Sequence, residues 1–137
     1  MTSPRVIEHD RGKMTIVGLT PTVAHIVVEG VLDQALADEI IAEAARVSRE
    51  GAGVVLHDWS NLENYTSTAR QRLTDWTLEH RRSLAAVHIL VRSSIVAMGV
   101  NVANLALGGF LKAGTDPVAF AEVVNAHRTL PASHSGY

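Results

Sequence analysis

The chain has 137 residues, of which 47% are hydrophobic and 19% charged, and it carries a formal net charge of -2. This length suits one domain and the hydrophobic fraction can fill its core, so the composition excludes a disordered chain. The weak negative charge excludes a general affinity for nucleic acid, and the absence of cysteine excludes disulfides, thiolate metal sites and thiol nucleophiles. The first residues lack the apolar segment of a secretory signal, so we expect a cytoplasmic location.

The N-terminal part of the sequence predicts two antiparallel strands followed by a helix. A polar turn leads into strand-like residues at Met14–Val17, and a second turn at 19–22 precedes the β-branched run Val23–Gly30. Asp33 is a suitable N-cap for a helix that ends near Gly51. The apolar positions of that helix recur at helical spacing at Leu36, Ile40, Ile41, Ala44 and Val47. We therefore expect this helix to cover one face of the sheet.

The middle of the chain alternates strand and helix patterns. Gly53–Asp58 is a nearly continuous apolar run, typical of a central strand covered on both faces, and Trp59–Tyr65 is predicted as a loop. A helix is predicted from about Thr66 to Arg82, with one face formed by Ala69, Leu73, Trp76 and His80. Ala85–Val91 is a second buried strand. This order of strand, helix and strand implies a right-handed crossover.

The segment Ile95–Leu107 predicts a helix that is apolar on almost every side. Ser93 or Ser94 can cap its start, and two glycines follow its end. At about 13 residues it is too short to span a bilayer, which needs about 20. Such a helix must be covered, and four alternatives remain open: burial between the sheet and the last helix, a lipid cavity, a second subunit in a homodimer, or a partner or membrane surface.

The C-terminal part of the sequence predicts a last strand and a last helix. Phe110–Lys112 is the strand, and Asp116 followed by proline supplies the N-cap and first position of the helix. Residues 129–137 form a polar tail that we expect to be loose. Together the elements predict an α/β fold with one mixed β-sheet of about four to five strands and about four helices. We expect one domain over 1–137, with its core at about 13–127.

The stretch Val54–Ala69 resembles the signature of the STAS family, which is named for sulfate transporters and anti-sigma factor antagonists. That signature is an apolar strand, then Asp-x-Ser, a short loop, and a helix that opens with Asp-Ser-Ser-Gly. Asp58 and Ser60 match its first part, and Ser67 falls on the serine that anti-sigma factor antagonists present for phosphorylation. Three neighbouring positions depart from the signature. Thr66 replaces its aspartate, Thr68 its second serine and Ala69 its glycine.

The resemblance covers most of the chain and implies a STAS-like mixed sheet with helices. It also implies a bacterial regulatory domain that has no catalytic activity, takes no cofactor and binds a regulatory protein. The surface concerned is Asp58–Thr68, including Tyr65, together with the helix that follows. Ser67 is the implied phosphorylation site, with the hydroxyls of Thr66 and Thr68 as further acceptors. Similarity to divergent STAS-like proteins, some of them like the lipid-binding SEC14 type, implies a small lipid-like ligand as the alternative.

The residues around Ser67 offer three interpretations. Ser67 lies near the predicted N-terminus of a helix, where unpaired backbone N–H groups and the positive end of the helix dipole favour a phosphate. Alternatively, Thr66 or Ser67 is simply the N-cap, since both residue types are preferred there. A third alternative, hydrolysis with Ser67 as nucleophile, lacks a Gly-x-Ser-x-Gly motif. The seven histidines show no metal-ligand spacing, and phosphate-loop and dinucleotide motifs are absent, so neither a metal nor a cofactor is predicted.

Polar residues follow two of the predicted strands. Asp58 and Ser60 follow one buried strand, and Arg92 and Ser94 follow the other. If these strands are parallel neighbours, the four residues share a crevice of the kind in which ligands of open α/β sheets bind. Arg92 could hold a phosphate or carboxylate there, or it could pair with Asp58. The lipid-like alternative places the acidic head of the ligand near Arg92 and its apolar body along the 95–107 helix. On that helix, the residues expected to contact the ligand are Met98 and Asn101.

Overall fold

The computed structural model describes residues 4–135, and the side chains of 4–128. Its strands are β1 (Arg5–His9), β2 (Gly12–Thr20), β3 (Val23–Leu32), β4 (Gly53–Trp59), β5 (Leu62–Tyr65), β6 (Leu84–Val91) and β7 (Lys112–Gly114). Its helices are α1 (Gln34–Val47), α2 (Ser67–His80), α3 (Ser94–Ala106) and α4 (Pro117–Ser135), and a 3₁₀ turn, Arg81–Ser83, follows α2.

One sheet joins these strands in the order β1-β2-β3-β4-β6-β7, and β5 pairs with the last residues of β3. β1, β2 and β3 are antiparallel neighbours, whereas β3, β4, β6 and β7 are paired in parallel. The predicted mixed α/β class is therefore confirmed. The described residues form seven strands rather than about four to five. The prediction missed β1 and β5 because both are short and largely exposed, so their pairing depends on neighbouring strands.

The segment Trp59–Tyr65, which was predicted as a loop, contains β5. Leu62 is buried while Glu63 and Asn64 are exposed, and two adjacent polar residues are more typical of a loop than of a strand. The strand forms because β3 continues to Leu32 and offers its backbone to this segment. The chain leaving β4 is thereby held beside the end of β3 until α2 begins.

The last strand, β7, begins at Lys112, where the predicted strand Phe110–Lys112 ends. The backbone of Leu111 is held by the side chain of Asn104 instead of by the sheet. The Asn104 amide donates to the Leu111 carbonyl at 3.0 Å, and its oxygen accepts from the Leu111 N–H at 2.8 Å. Because both backbone groups of Leu111 are already paired with α3, sheet pairing starts only after that residue.

The C-terminal helix α4 begins as predicted, with Asp116 as its cap; Asp116 Oδ1 accepts a hydrogen bond from Val118 N at 2.9 Å. It packs on the sheet through Phe120, Val123 and Val124. The helix continues to Ser135, so the loose tail predicted over 129–137 is helical in its described part. Propagation of a helix adds one backbone hydrogen bond per residue, which favours continuation beyond the packed face. Residues 136–137 lie outside the described part.

The two faces of the sheet carry different helices. Side chains alternate along β4, and those that face α1, α2 and α3 are Val55, His57 and Trp59. Val54 and Leu56 point to the opposite side and pack with α4. Asp58 also lies on that opposite side, because side chains alternate along the strand and Asp58 follows His57. We refer to these sides as the α1–α3 face and the α4 face.

The junction between β2, β3 and α1 is closely packed around a glycine. Asp33 caps α1 as predicted, since its Oδ1 accepts from Leu36 N at 3.0 Å. A Cβ atom at Gly12 would lie 2.1 Å from the carbonyl oxygen of Val31 and 2.6 Å from a methyl group of Leu36. The absence of a side chain at Gly12 therefore lets β2 approach the end of β3 and the first turn of α1.

Candidate functional site

The start of α2 shows which hydroxyl caps the helix. Thr66 is the N-cap: its Oγ1 accepts from Ala69 N at 3.1 Å, and its own N–H donates to Leu32 O at 2.9 Å. Ser67 is the first helical residue and is exposed. In the described part of the chain its hydroxyl has no hydrogen-bond partner, and Thr68 is exposed beside it. The sequence allowed either Thr66 or Ser67 as the N-cap. Thr66 caps the helix, and the hydroxyl of Ser67 faces the solvent.

Asp58 and Ser60 form a turn between β4 and β5. Asp58 Oδ1 accepts hydrogen bonds from Ser60 N at 3.0 Å and from Ser60 Oγ at 2.6 Å. These bonds pair the serine with the carboxylate and direct the chain into β5. The residues between Ser60 and Ser67 include the four residues of β5, which span about 13 Å at the usual rise per strand residue. Asp58 and Ser60 therefore position the segment that leads to Ser67 without contacting Ser67.

Arg92 and Ser94 follow β6, which is the parallel neighbour of β4. Trp59 lies opposite Val91, so Asp58 and Arg92 reach the same edge of the sheet, as the sequence predicts. Arg92 is exposed, and the ion pairs of the described residues do not join it to Asp58. The cap of α3 is Ser93, whose Oγ accepts from Val96 N at 3.4 Å.

The helix α3 has one buried and one exposed apolar side. The side that packs on the sheet consists of Val96, Gly99, Val100 and Ala103. The opposite side exposes Ile95 (53%), Met98 (66%), Val102 (48%) and Leu105 (84%), and we call these four residues the α3 stripe. Asn101 is also exposed. The helix is therefore covered only in part. If a second subunit or an external partner covers the rest, the α3 stripe is the surface that it would contact.

A cavity of about 80 Å³ lies on the α1–α3 face, between the sheet and the three helices. Its wall is mostly apolar, with contributions from Val55 of β4, Leu73 of α2 and Val100 of α3. His57 and Trp59 also line it; their side-chain rings lie 4.9 Å apart, centroid to centroid. Tyr65 lines the cavity too, whereas the other residues predicted to hold a ligand do not: Asp58, Ser60, Arg92, Ser94, Met98 and Asn101.

Burial dominates the electrostatics of His57. The residue is 6% exposed, and its Nδ1 has no hydrogen-bond partner. Removal from water disfavours the charged imidazolium, and repulsion from His25 in its protonated form adds to this, so the pKa of His57 falls from 6.5 to about 3. His57 is therefore neutral at pH 7 and does not bring a charge to the cavity.

Two further observations concern membrane-spanning helices and metal ligands. In residues 4–135 no helix is both long and apolar enough to cross a membrane. Over residues 4–128, whose side chains are described, the histidine, aspartate and glutamate side chains form no group of three that could hold a metal ion.

Comparison with solved structures identifies the fold. A protein of the DUF3478 family with a SpoIIAA-like fold, from Shewanella loihica PV-4, is 15% identical, with a TM-score of 0.54 over 88% of this chain and 90% of that chain. An anti-sigma factor antagonist from Mycobacterium paratuberculosis is 14% identical, with a TM-score of 0.54 over 90% and 93% of the two chains. The anti-sigma factor antagonist SpoIIAA, in its unphosphorylated form, is 18% identical, with a TM-score of 0.59 over 82% and 96%. The chain therefore has a SpoIIAA-like fold, which agrees with the fold implied by the resemblance to the STAS signature.

At the level of sequence, no protein-family model and no curated protein matches the chain. The departures from the STAS signature have a structural account. Thr66 replaces the aspartate of the signature but performs the capping that an aspartate would also perform. Ala69 replaces the glycine and is completely buried against the core, where its methyl group adds apolar contact.

The sequence alone did not single out His57 and Trp59, which line the cavity. In the sequence, His57 is one of seven histidines that show no metal-ligand spacing. The available signal was a titratable residue inside a nearly continuous apolar run, with a tryptophan two positions later on the same face of the strand. The cavity itself is formed by α2 and α3, which the local sequence of β4 does not contain.

Proposed function

We propose that this STAS-like domain is a non-enzymatic cytoplasmic regulator that binds a protein partner through β5, the first turn of α2 and the outer side of α2. The observation that carries this proposal is the exposed hydroxyl of Ser67, which remains unpaired because Thr66 caps the helix. The position matches the serine of the STAS signature that is presented for phosphorylation.

Phosphorylation would change this surface strongly. A phosphate adds a charge of about −1.5 to −2 and three acceptor oxygens. At Ser67 it would lie beside the N-terminal N–H groups of α2 and the positive end of its dipole, so the helix would tolerate or gain from the modification. A partner that contacts the unmodified surface would meet this charge directly. Thr68 shares the exposure of Ser67, whereas the Thr66 hydroxyl is already engaged as the helix cap.

The outer side of α2 offers a polar contact surface next to Ser67. Gln71 donates to Asp75 at 2.9 Å, and Arg72 pairs with Asp38 of α1 at 2.6 Å. Both pairs are exposed, and exposed pairs contribute little to stability, so a partner that binds over them can replace them at little cost. Such a surface suits recognition by hydrogen bonds and charge more than burial of a large apolar area.

The geometry does not favour hydrolysis at Ser67. A serine nucleophile needs a general base within hydrogen-bond distance. In the described part of the chain, neither a histidine nor a carboxylate is hydrogen-bonded to Ser67. His57 is buried and lines the cavity under α2 and α3, and Asp58 is bonded to Ser60. A non-catalytic role accounts for this arrangement.

In the alternative hypothesis a lipid-like ligand lies along α3 with its head near Arg92. The side chains that it would contact face the solvent. Met98, Asn101 and Arg92 are all exposed, so a ligand there would lie on the surface and would require a further partner or a second copy of the chain to enclose it. The partner hypothesis needs no such addition.

Affinity capture from the native host tests the proposal. Tagged wild-type protein is compared with Ser67→Glu, which places a negative charge at the first position of α2, and with Val118→Glu. Val118 is exposed near the start of α4, on the other side of the sheet, and serves as the matched control. We expect Ser67→Glu to change the set of bound proteins while Val118→Glu leaves it unchanged, with equal circular dichroism spectra. Identical capture by wild type and Ser67→Glu would contradict the proposal.

A further inference from the structure

The helix α4 is attached to the sheet by a small apolar contact. Of its described side chains, which are those of residues 117–128, only Val124 is buried, and Phe120 and Val123 are half-buried beside it. The helices α1, α2 and α3 pack on the larger apolar core of the opposite face. Between α4 and the strands β6 and β7 an open groove of about 320 Å³ remains. Elements with few buried apolar side chains open at low free energy, so α4 is the helix that the fold can release most readily.

Two histidine side chains of the sheet lie under α4. His25 of β3 and His88 of β6 are both opposite Leu56 of β4 in the register of the sheet, so all three side chains point to the α4 face. The His25 ring lies 6.0 Å from that of Phe120, centroid to centroid. The His88 ring lies 6.3 Å from that of His127. The helix therefore covers a row that has one histidine on each side of Leu56.

The surroundings of His88 disfavour a positive charge on its ring. Burial lowers the pKa of His88, and Lys112 of β7 and His127 of α4 lower it further. Lys112 is the neighbour of His88 in the register of the sheet. Asp116, at the start of α4, borders the same groove, but its carboxylate accepts a hydrogen bond from the backbone of α4. In the described part of the chain, His88 therefore has no ion pair that would compensate for a proton.

His25 is enclosed in a similar way on the other side of Leu56. Its Nε2 is buried without a hydrogen-bond partner in the described part of the chain. Burial lowers the pKa of His25; Asp58 of β4 opposes this in part, and Arg128 of α4 adds to it. The neighbour of His25 in register on β2 is Val17, which is uncharged. Both histidines are therefore favoured in the neutral form as long as α4 covers them.

We propose that α4 is a pH-sensitive lid, which covers the sheet while His25 and His88 are neutral and leaves it when they are protonated. Release returns both rings to water, where the ordinary pKa of 6.5 applies. Below that pH the released state binds protons that the covered state excludes, so acidification favours release.

Release of the lid changes the surface of the α4 face. It uncovers the apolar side chains of Val23, Val54 and Leu56, which α4 covers at neutral pH. Protonation of histidine clusters at packing interfaces is a known basis of pH sensing. The lid lies on the opposite side of the sheet from the partner surface at the start of α2 and does not depend on it.

Native-state hydrogen exchange tests the proposal. It is measured residue by residue by NMR at about pH 7 and about pH 5.5, with correction for the pH dependence of the intrinsic exchange rate. One pH unit below the ordinary pKa of 6.5, each covered histidine can lower the protection of α4 by up to about tenfold. We expect the amides of residues 121–128 to lose about tenfold in protection between the two pH values. At both pH values they should exchange faster than the most protected amides of α1 and β4, because α4 opens while the rest of the fold stays intact.

Two variants connect the opening of α4 to the histidines. The double variant His25→Leu, His88→Leu removes both titrating rings and should abolish the loss of protection in α4. His57→Leu removes a buried histidine on the opposite face of the sheet and is the control, which should keep that loss. In the wild type, the ring resonances of His25 and His88 should titrate with the same midpoint as the amide resonances of α4, which decides the question even if the double variant does not fold. Different midpoints, exchange of α4 at the same rate as α1 and β4, or an equal loss in the double variant would overturn the proposal.

Discussion

The buried His57 makes the stability of this domain depend on pH. In the folded chain burial lowers its pKa from 6.5 to about 3. Below pH 6.5 the unfolded chain therefore binds a proton at this residue that the folded chain excludes, so the residue's contribution to stability is lost as the pH falls from about 6.5 towards 3. At pH 5, about 1.5 units below the unfolded value, the loss amounts to about 2 kcal/mol.

Urea unfolding at pH 7 and pH 5, followed by far-ultraviolet circular dichroism, measures this contribution. His25 and His88 also have pKa values lowered mainly by burial, so the wild-type chain loses more than His57 alone explains. We therefore expect His57→Leu to lose about 2 kcal/mol less stability than wild type between the two pH values. Trp59→Phe changes the neighbouring ring but keeps the histidine, so it should retain the wild-type pH dependence. Equal pH dependence of wild type and His57→Leu would refute the reasoning.

Three further predictions concern capping, close packing and assembly. Thr66→Ala removes the cap of α2 and should lower the free energy of unfolding by about 1 kcal/mol, whereas Ser67→Ala should change it little. Gly12→Ala places a Cβ 2.1 Å from a backbone carbonyl oxygen of β3 and should destabilise by about 1–3 kcal/mol, whereas Gly114→Ala, which meets nothing within 4 Å, should not. If the α3 stripe joins two copies, light scattering should give a dimer for wild type and a monomer for Leu105→Glu; an unchanged mass would exclude that role for the stripe.

Local signals in the sequence were sufficient for the helices and the inner strands. Asp33 caps α1 where the sequence predicts it, and the apolar run that begins at Gly53 is the central strand β4. β5 could not be predicted, because Glu63 and Asn64 give a polar stretch and the strand forms only by pairing with the last residues of β3. Strand propensity reports local preference, whereas this pairing is a tertiary interaction.

The candidate site, like the fold, could be predicted from the sequence only in part. The signature placed Ser67 correctly at the start of a helix, but the choice of cap between Thr66 and Ser67 depends on backbone geometry that residue type does not determine. To predict the cavity around His57 and Trp59, one would have to know how α2 and α3 pack over β4. A ligand contact was expected at Met98 of α3, and the structure shows that Met98 is exposed, whereas the enclosed cavity lies under the opposite side of that helix.

Site-specific photo-crosslinking in the native host tests the central claim most directly. A photoreactive amino acid replaces Thr68, which is exposed beside Ser67, or Val118, which is exposed on α4 across the sheet. If the surface at the start of α2 binds a protein partner, irradiation should produce a discrete covalent adduct with the probe at 68 and none at 118, and Ser67→Glu should change the yield of that adduct. Absence of an adduct at 68, or equal adducts at both positions, would contradict the claim that this surface is the regulatory contact.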